Sequence, residues 1–188
     1  MKKIVSLFQR NYETDRKVRN EIVPGAEWVV NGEGFPTIKI DGTSCLIKDG
    51  LLYKRYDAKQ GKTPPDEFLP AQDPDPTTGH WPGWLRVDTI TPKPEDKWHI
   101  QAWNSLPVAV FDCTYELIGP KVQGNPYGLS SHQLIKHGAW LPDGDVPRDF
   151  DGLKAYLSIH HIEGIVWHST DGDRMVKIKS RDFGIKWP

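Results

Sequence analysis

Along this 188-residue chain, apolar and polar positions alternate more often than apolar ones recur at helical spacing, so the elements predicted are mainly short strands. Residues 37–40 read as a strand that ends where the chain turns at Asp41-Gly42. Residues 45–48 and 51–55 flank Asp49-Gly50, a hairpin signal because the two-residue turn needs positive φ. That hairpin is expected to set Arg55 beside the strand of Lys39. Residues 107–111 and 114–118 read as further strands, the latter closed by Gly119-Pro120, and 124–128 as a turn. A second hairpin joins 164–168 to 175–179 through Asp171-Gly172, and residues 4–8 read as an edge strand. Helical spacing of Phe150, Leu153, Tyr156 and Leu157 behind an N-cap at Asp149 predicts a helix over 149–160, packed outside the sheet. A shorter helix is expected over 131–137, stopped by Gly138. Residues 57–97 hold eight of the sixteen prolines, which predicts one long ordered loop anchored by Trp81 and Trp84.

Composition bounds this picture. A chain of this length with 37% hydrophobic residues buries one core of ordinary size, so a single domain over 1–188 is expected. The net charge of -1 and pI of about 6.6 give no global positive field, and any nucleic-acid contact must come from local patches. Six basic residues in the first twenty (Lys2, Lys3, Arg10, Arg16, Lys17, Arg19) read better as a solvated edge than as a phosphate-binding arm. Cys45 and Cys113 are too few for a disulfide framework and lack zinc-ligand spacing, so both read as core thiols of a reduced, cytoplasmic protein. The seven histidines show no metal spacing. Nothing approaches the run of ~20 apolar residues that a membrane span needs.

Candidate chemistry centres on Lys39-Ile40-Asp41-Gly42, a lysine at a strand end where an amine can face a cleft. Arg55, Glu116, Glu163, Lys177 and Lys179 follow, each in or at the end of a predicted strand. For each of these the plainer reading is an exposed strand residue or a salt bridge, but an unpaired carboxylate at Glu116 or Glu163, among apolar neighbours, costs several kcal/mol. Lys177 and Lys179 alternate with Val176 and Ile178 and so share one face.

The order resembles the motif series of covalent nucleotidyltransferases: 39–42, Arg55, 115–119, 163–166 and 176–179. A narrower resemblance joins Lys-x-Asp-Gly-Thr (39–43), Gly-His-x-Pro-Gly-Trp (79–84), Glu-Leu-Ile-Gly and Gly-Asn-Pro-Tyr-Gly (116–128), His-Gly-Ala (137–139), Ile-Glu-Gly-Ile-Val-Trp-His (162–168) and the closing Trp187-Pro188. In these the chain is similar to the vertebrate-type 5′-3′ RNA ligase family, in a trimmed form. The resemblance implies an α+β nucleotidyltransferase (ligase adenylation) domain, antiparallel sheets with flanking helices around an ATP cleft, without a separate OB-type domain. It implies RNA repair by an ATP-dependent ligase that joins 5′-phosphate and 3′-hydroxyl RNA ends through lysyl-AMP and an adenylylated RNA 5′ end. The implied partners are ATP and RNA, with Mg²⁺ or Mn²⁺ as cofactor, no membrane, and a monomeric chain.

The resemblance also implies roles. Lys39 is the catalytic nucleophile, and Asp41, Gly42, Arg55, Glu116, Glu163, Lys177 and Lys179 bind the nucleotide. A lysine attacks as its neutral amine, and Lys177, Lys179 and the metal would supply the neighbouring charge that favours that form. Asp41 would hold the motif turn and Gly42 would let the backbone turn. Arg55 offers a planar fork to the ribose or an RNA 5′-phosphate, Glu116 suits a ribose hydroxyl, and Glu163 suits Mg²⁺. Trp81, Trp84, Tyr127, His132 and Trp167 could stack on bases, though core or loop-anchor roles are commoner for such residues. Ile38 stands where many ligases carry a polar residue, so ATP rather than GTP rests on the resemblance. A DNA ligase, a capping guanylyltransferase and an inactive nucleotide- or RNA-end-binding module are the competing readings.

Overall fold

The computed structural model describes residues 3–107 and 110–188, an α+β chain dominated by antiparallel sheets. In order its elements are β1 (Val5–Ser6), β2 (Phe8–Arg10), β3 (Val18–Ile22), α1 (Glu27–Val30), β4 (Phe35–Lys39), β5 (Thr43–Lys48), β6 (Leu51–Ala58), β7 (Leu69–Pro70), β8 (Trp81–Arg86), α2 (Lys97–Asn104), β9 (Cys113–Ile118), β10 (Gln133–Lys136), α3 (Phe150–His160), β11 (Gly164–His168) and β12 (Met175–Lys179). They divide into two compact units, one of Ile4–Ile40 with Gly138–Pro188, the other of Asp41–His137 with Lys3.

The first unit is built on a four-stranded sheet ordered β1-β12-β11-β4, antiparallel except where β1 runs parallel to β12. Its alternation decides its faces: Val176 and Ile178 are buried while Lys177 and Lys179 project from the opposite face. Ile165, Trp167, Val176 and Ile178 pack against Leu153 and Leu157 of α3, with Leu7, Phe8 and Trp28 completing the core. Helix α3 starts as the sequence predicts, because the Asp149 side chain accepts a hydrogen bond from the Gly152 amide at 2.8 Å. It ends at His161, in the left-handed region at φ 47°. Of the edge strand predicted over 4–8 only Val5–Ser6 is present, as β1; Leu7 separates it from β2, which begins at Phe8 in another sheet.

The second unit is a six-stranded sheet ordered β10-β9-β5-β6-β8-β7. The β5–β6 hairpin turns through Asp49 and Gly50, both at positive φ (53° and 70°), as a two-residue turn requires. Cys45, Ile47, Leu52, Tyr115, Leu117 and Leu134 form its core with Ala102 of α2.

Four expectations are corrected here. Residues 57–97 are not one loop: β6 runs on to Ala58, β7 and β8 join the sheet, and α2 begins at Lys97. Glycine at 83 makes this pairing possible, since a Cβ there would lie 2.3 Å from the Phe68 ring and 2.5 Å from the Leu69 carbonyl oxygen. Pro82 lacks an N–H, yet its carbonyl accepts from the Ala71 amide at 3.0 Å. Residues 131–137 hold strand β10 at Gln133–Lys136 rather than a helix, in register against β9, because long-range pairing outweighs a weak local preference in so short a run. The strand of Arg55 does not pair with the strand of Lys39: β6 pairs with β5 and β8, whereas β4 pairs with β11. Of the expected strand over 107–111, Val108 and Ala109 lie outside the described residues, and the other three positions are not in a strand. Among the described residues no helix is long and apolar enough to cross a membrane.

Candidate active site

In the first unit the register brings the late lysine pair to Lys39. Gly164 on β11 faces Lys39 across one side and Lys179 across the other. Glycine is required there because a Cβ would sit 2.1 Å from the Ile178 carbonyl oxygen. Beside it Glu163 divides its carboxylate between the two amines: Oε2 lies 2.7 Å from Lys39 Nζ and Oε1 lies 2.7 Å from Lys179 Nζ. The carboxylate side chain is 5% exposed and the lysines 20% and 13%, so the acid is enclosed while both amines stay reachable. Ser180 fixes this stretch from behind, its amide donating to the Glu163 carbonyl (2.8 Å) and its hydroxyl to the Ile162 carbonyl (2.6 Å).

Lys177 lies one pleat away on the same face as Lys179. Burial, reinforced by Lys179 and Lys39, lowers its amine to about 8, against the pull of Asp182 and Glu163. Asp182 is itself buried, pairs with Arg10, and accepts from the Lys179 amide at 3.0 Å. Lys177 and Lys179 therefore share a sheet with Lys39, whose amine donates to the Glu163 carboxylate at 2.7 Å and to the Ile40 carbonyl at 3.4 Å.

In the second unit, Glu116 on β9 is 8% exposed and its Oε2 lies 2.7 Å from His137 Nε2. Ser44 faces Glu116 across β5–β9, its hydroxyl buried without a partner. Gly42 does not turn the chain through a left-handed conformation. Its role is close approach, since a Cβ would lie 2.2 Å from the Leu117 carbonyl oxygen and 2.8 Å from Glu116 Cγ. The Asp41 amide donates to the Tyr127 hydroxyl (2.6 Å), and the Gln123 side-chain amide donates to the Gly42 carbonyl (3.2 Å). The Arg55 guanidinium lies 5.1 Å over the Trp84 ring, with Nε 3.5 Å from Asp57. Burial pushes it below its ordinary value, opposed by Asp57 and Glu116.

A family model described as RNA ligase 1 matches residues 92–188, a stretch holding Glu116, Glu163, Lys177 and Lys179. The chain belongs to the RNA ligase 1 family. Proteins named RNA ligase 1 are among its relatives. One from Pongo abelii is 28% identical over 229 residues, covering 82% of this chain and 68% of the relative. One from Danio rerio is 32% identical over 141 residues (58% and 42%), and one from Rattus norvegicus is 29% identical over 169 residues (72% and 47%). The matched stretch spans less than half the length of the zebrafish and rat proteins.

Three of the aromatic candidates are core or support groups. Trp167 and Trp84 are buried, and His132 is enclosed by Trp98 (stacked at 4.5 Å) and Gln101 (2.5 Å). Tyr127 acts on the Asp41 backbone through its hydroxyl, and the Trp81 indole donates to the Gln72 carbonyl. Sequence reasoning gave no role to His137, Gln123 or Ser180, whose contacts cross between elements distant in the chain. Its one usable signal was His137-Gly138-Ala139 within the family resemblance.

Among the described residues no three His, Cys, Asp or Glu side chains converge on a metal-sized space. Glu163 offers a single carboxylate whose two oxygens each take a lysine, a donor set that does not make an all-protein metal cage.

Proposed function

We propose that this chain is an ATP-dependent RNA ligase that acts through Lys39. The observation that supports it most is the Lys39–Glu163–Lys179 contact, with Lys177 on the same sheet face as Lys179. Three amines on β4 and β12, the two strands that flank β11, are suited to a triphosphate, and one of them is the lysine of the Lys-x-Asp-Gly motif. To attack, Lys39 Nζ leaves Glu163 and gives up a proton to solvent. Its lone pair forms the N–P bond at the α-phosphorus while the bond to pyrophosphate breaks. Lys177 and Lys179 hold the negative charge of the departing pyrophosphate. Mg²⁺ bound with the nucleotide supplies further neutralisation of the phosphate oxygens, and Glu163 is the residue that would hold it. An RNA 5′-phosphate oxygen then takes AMP from Lys39, and a 3′-hydroxyl displaces AMP to form the phosphodiester. Glu116 orients the nucleotide through a ribose hydroxyl, and Arg55 engages ribose or the RNA phosphate.

The test is incubation with α-labelled ATP and Mg²⁺. The wild type is expected to carry a denaturation-stable label that Lys39→Ala loses entirely. Equal labelling of the two proteins, or none on the wild type, overturns the reading. Comparing 5′-phosphorylated RNA with nicked DNA, and ATP with GTP, then separates an RNA ligase from the DNA-ligase and capping alternatives.

A further inference from the structure

We propose that His137 is a positioning residue for ribose recognition, holding the Glu116 carboxylate so that one oxygen, Oε1, is presented to a nucleotide hydroxyl. The inference rests on the reading of Glu116 as the ribose-binding carboxylate and adds the residue that orients it. Three observations in the second unit carry it. His137 Nε2 lies 2.7 Å from Oε2, which occupies one of the two carboxylate oxygens. His137 Nδ1 is buried with no hydrogen-bond partner, so the ring proton belongs on Nε2, where it has an acceptor, and the imidazole donates to Glu116 rather than accepting from it. The stem of Glu116 is confined by the Gly42 backbone on another side, since even a Cβ at 42 would come within 2.8 Å of Glu116 Cγ. The carboxylate is thus fixed at both ends, by packing at the methylenes and by one strong hydrogen bond at Oε2.

The position of His137 in the fold gives this contact its rigidity. It directly follows β10, whose Ile135 is in register with Glu116, and its amide donates to the Thr114 carbonyl at 3.1 Å. Gly138 at φ 83° then turns the chain away. The imidazole is therefore held against β9 by backbone bonds as well as by its own ring.

The experiment measures formation of the lysyl-nucleotide with ATP, 2′-deoxy-ATP and 3′-deoxy-ATP in the full chain. It compares the wild type with Glu116→Ala, His137→Ala, His137→Asn and His137→Gln. Glutamine places an amide N–H near the site of Nε2 and restores the bond, whereas the shorter asparagine keeps polarity and bulk but does not reach Oε2. The wild type is expected to prefer ATP over one of the two deoxy analogues. That preference falls about tenfold in the Ala and Asn variants, chiefly through the concentration for half-maximal rate, and returns in the Gln variant, the size expected for a hydrogen bond to a charged group. A merely structural role lowers the rate for all three nucleotides alike and leaves their ratio unchanged. Should His137→Ala fail to fold, the Asn and Gln pair decides. Wild-type discrimination in His137→Asn overturns the proposal while labelling of the wild type leaves the ligase reading standing. Unchanged discrimination in Glu116→Ala removes the premise that Glu116 reads the ribose, and absence of label on the wild type removes the ligase reading itself.

Discussion

Glu163 cannot be replaced by an amide without loss on two sides, because each of its oxygens takes a different lysine. Glu163→Gln is expected to lower lysyl-nucleotide formation about tenfold, measured in single turnover, since the amide nitrogen meets one of the two lysines donor to donor and a neutral group no longer offers Mg²⁺ a carboxylate. Lys177 makes a separate prediction about stability. Its native value, about 8, lies below its ordinary 10.5, so between these values the unfolded chain binds more protons than the folded one. Stability from this group therefore rises with pH across that window, and the full penalty applies below it. Lys177→Met is expected to be more stable than the wild type below about pH 8, with the difference shrinking toward zero near 10.5, read from urea midpoints. Gly164→Ala and Gly42→Ala should each destabilise by more than about 2 kcal/mol in the same assay, because the added Cβ meets a backbone carbonyl rather than a movable side chain. The charged candidates were legible one by one from residue type and order. The two glycines were legible only as glycines: their reason is close approach between strands, which no local pattern reveals.

At the level of elements, what was legible was whatever carries its own local instruction. Helix α3 has a capping side chain at Asp149, an apolar stripe and a left-handed stop at His161, and Asp149→Ala is expected to cost about 1 kcal/mol in a denaturation assay. Both hairpins bring apolar runs to an Asp-Gly turn, and both formed. Strand β10 and strand β8 carry no such instruction. Gln133–Lys136 is too short for periodicity to choose helix or strand, and β9 chooses for it. Trp81–Arg86 contains a proline and a glycine that read as loop, yet Gly83 is the place where Phe68 and β7 close over the strand. Helix α2 follows directly on that proline-rich stretch, and it covers the core of the six-stranded sheet through Ala102.

For the whole molecule, a net charge of -1 leaves any attraction of a polyanion to local groups, and the proposed function has Mg²⁺ enter with the nucleotide. After treatment with a chelator, Mg²⁺ alone is expected to leave the melting temperature unchanged, whereas Mg²⁺ with ATP raises it. A rise with Mg²⁺ alone would point to a resident metal and against Glu163 acting only beside bound phosphates. The sequence by itself determined the family, the α+β class, the local turns and caps, and the identities and order of the charged residues, because these depend on residue type and short-range backbone preference. Tertiary structure alone decided which of those residues touch. The Lys39–Glu163–Lys179 contact spans 124 residues between its first two members, and the Glu116–His137 pair depends on β10 being a strand. Such contacts are set by strand register, and register is chosen by packing across distant parts of the chain rather than by the residues that end up in contact.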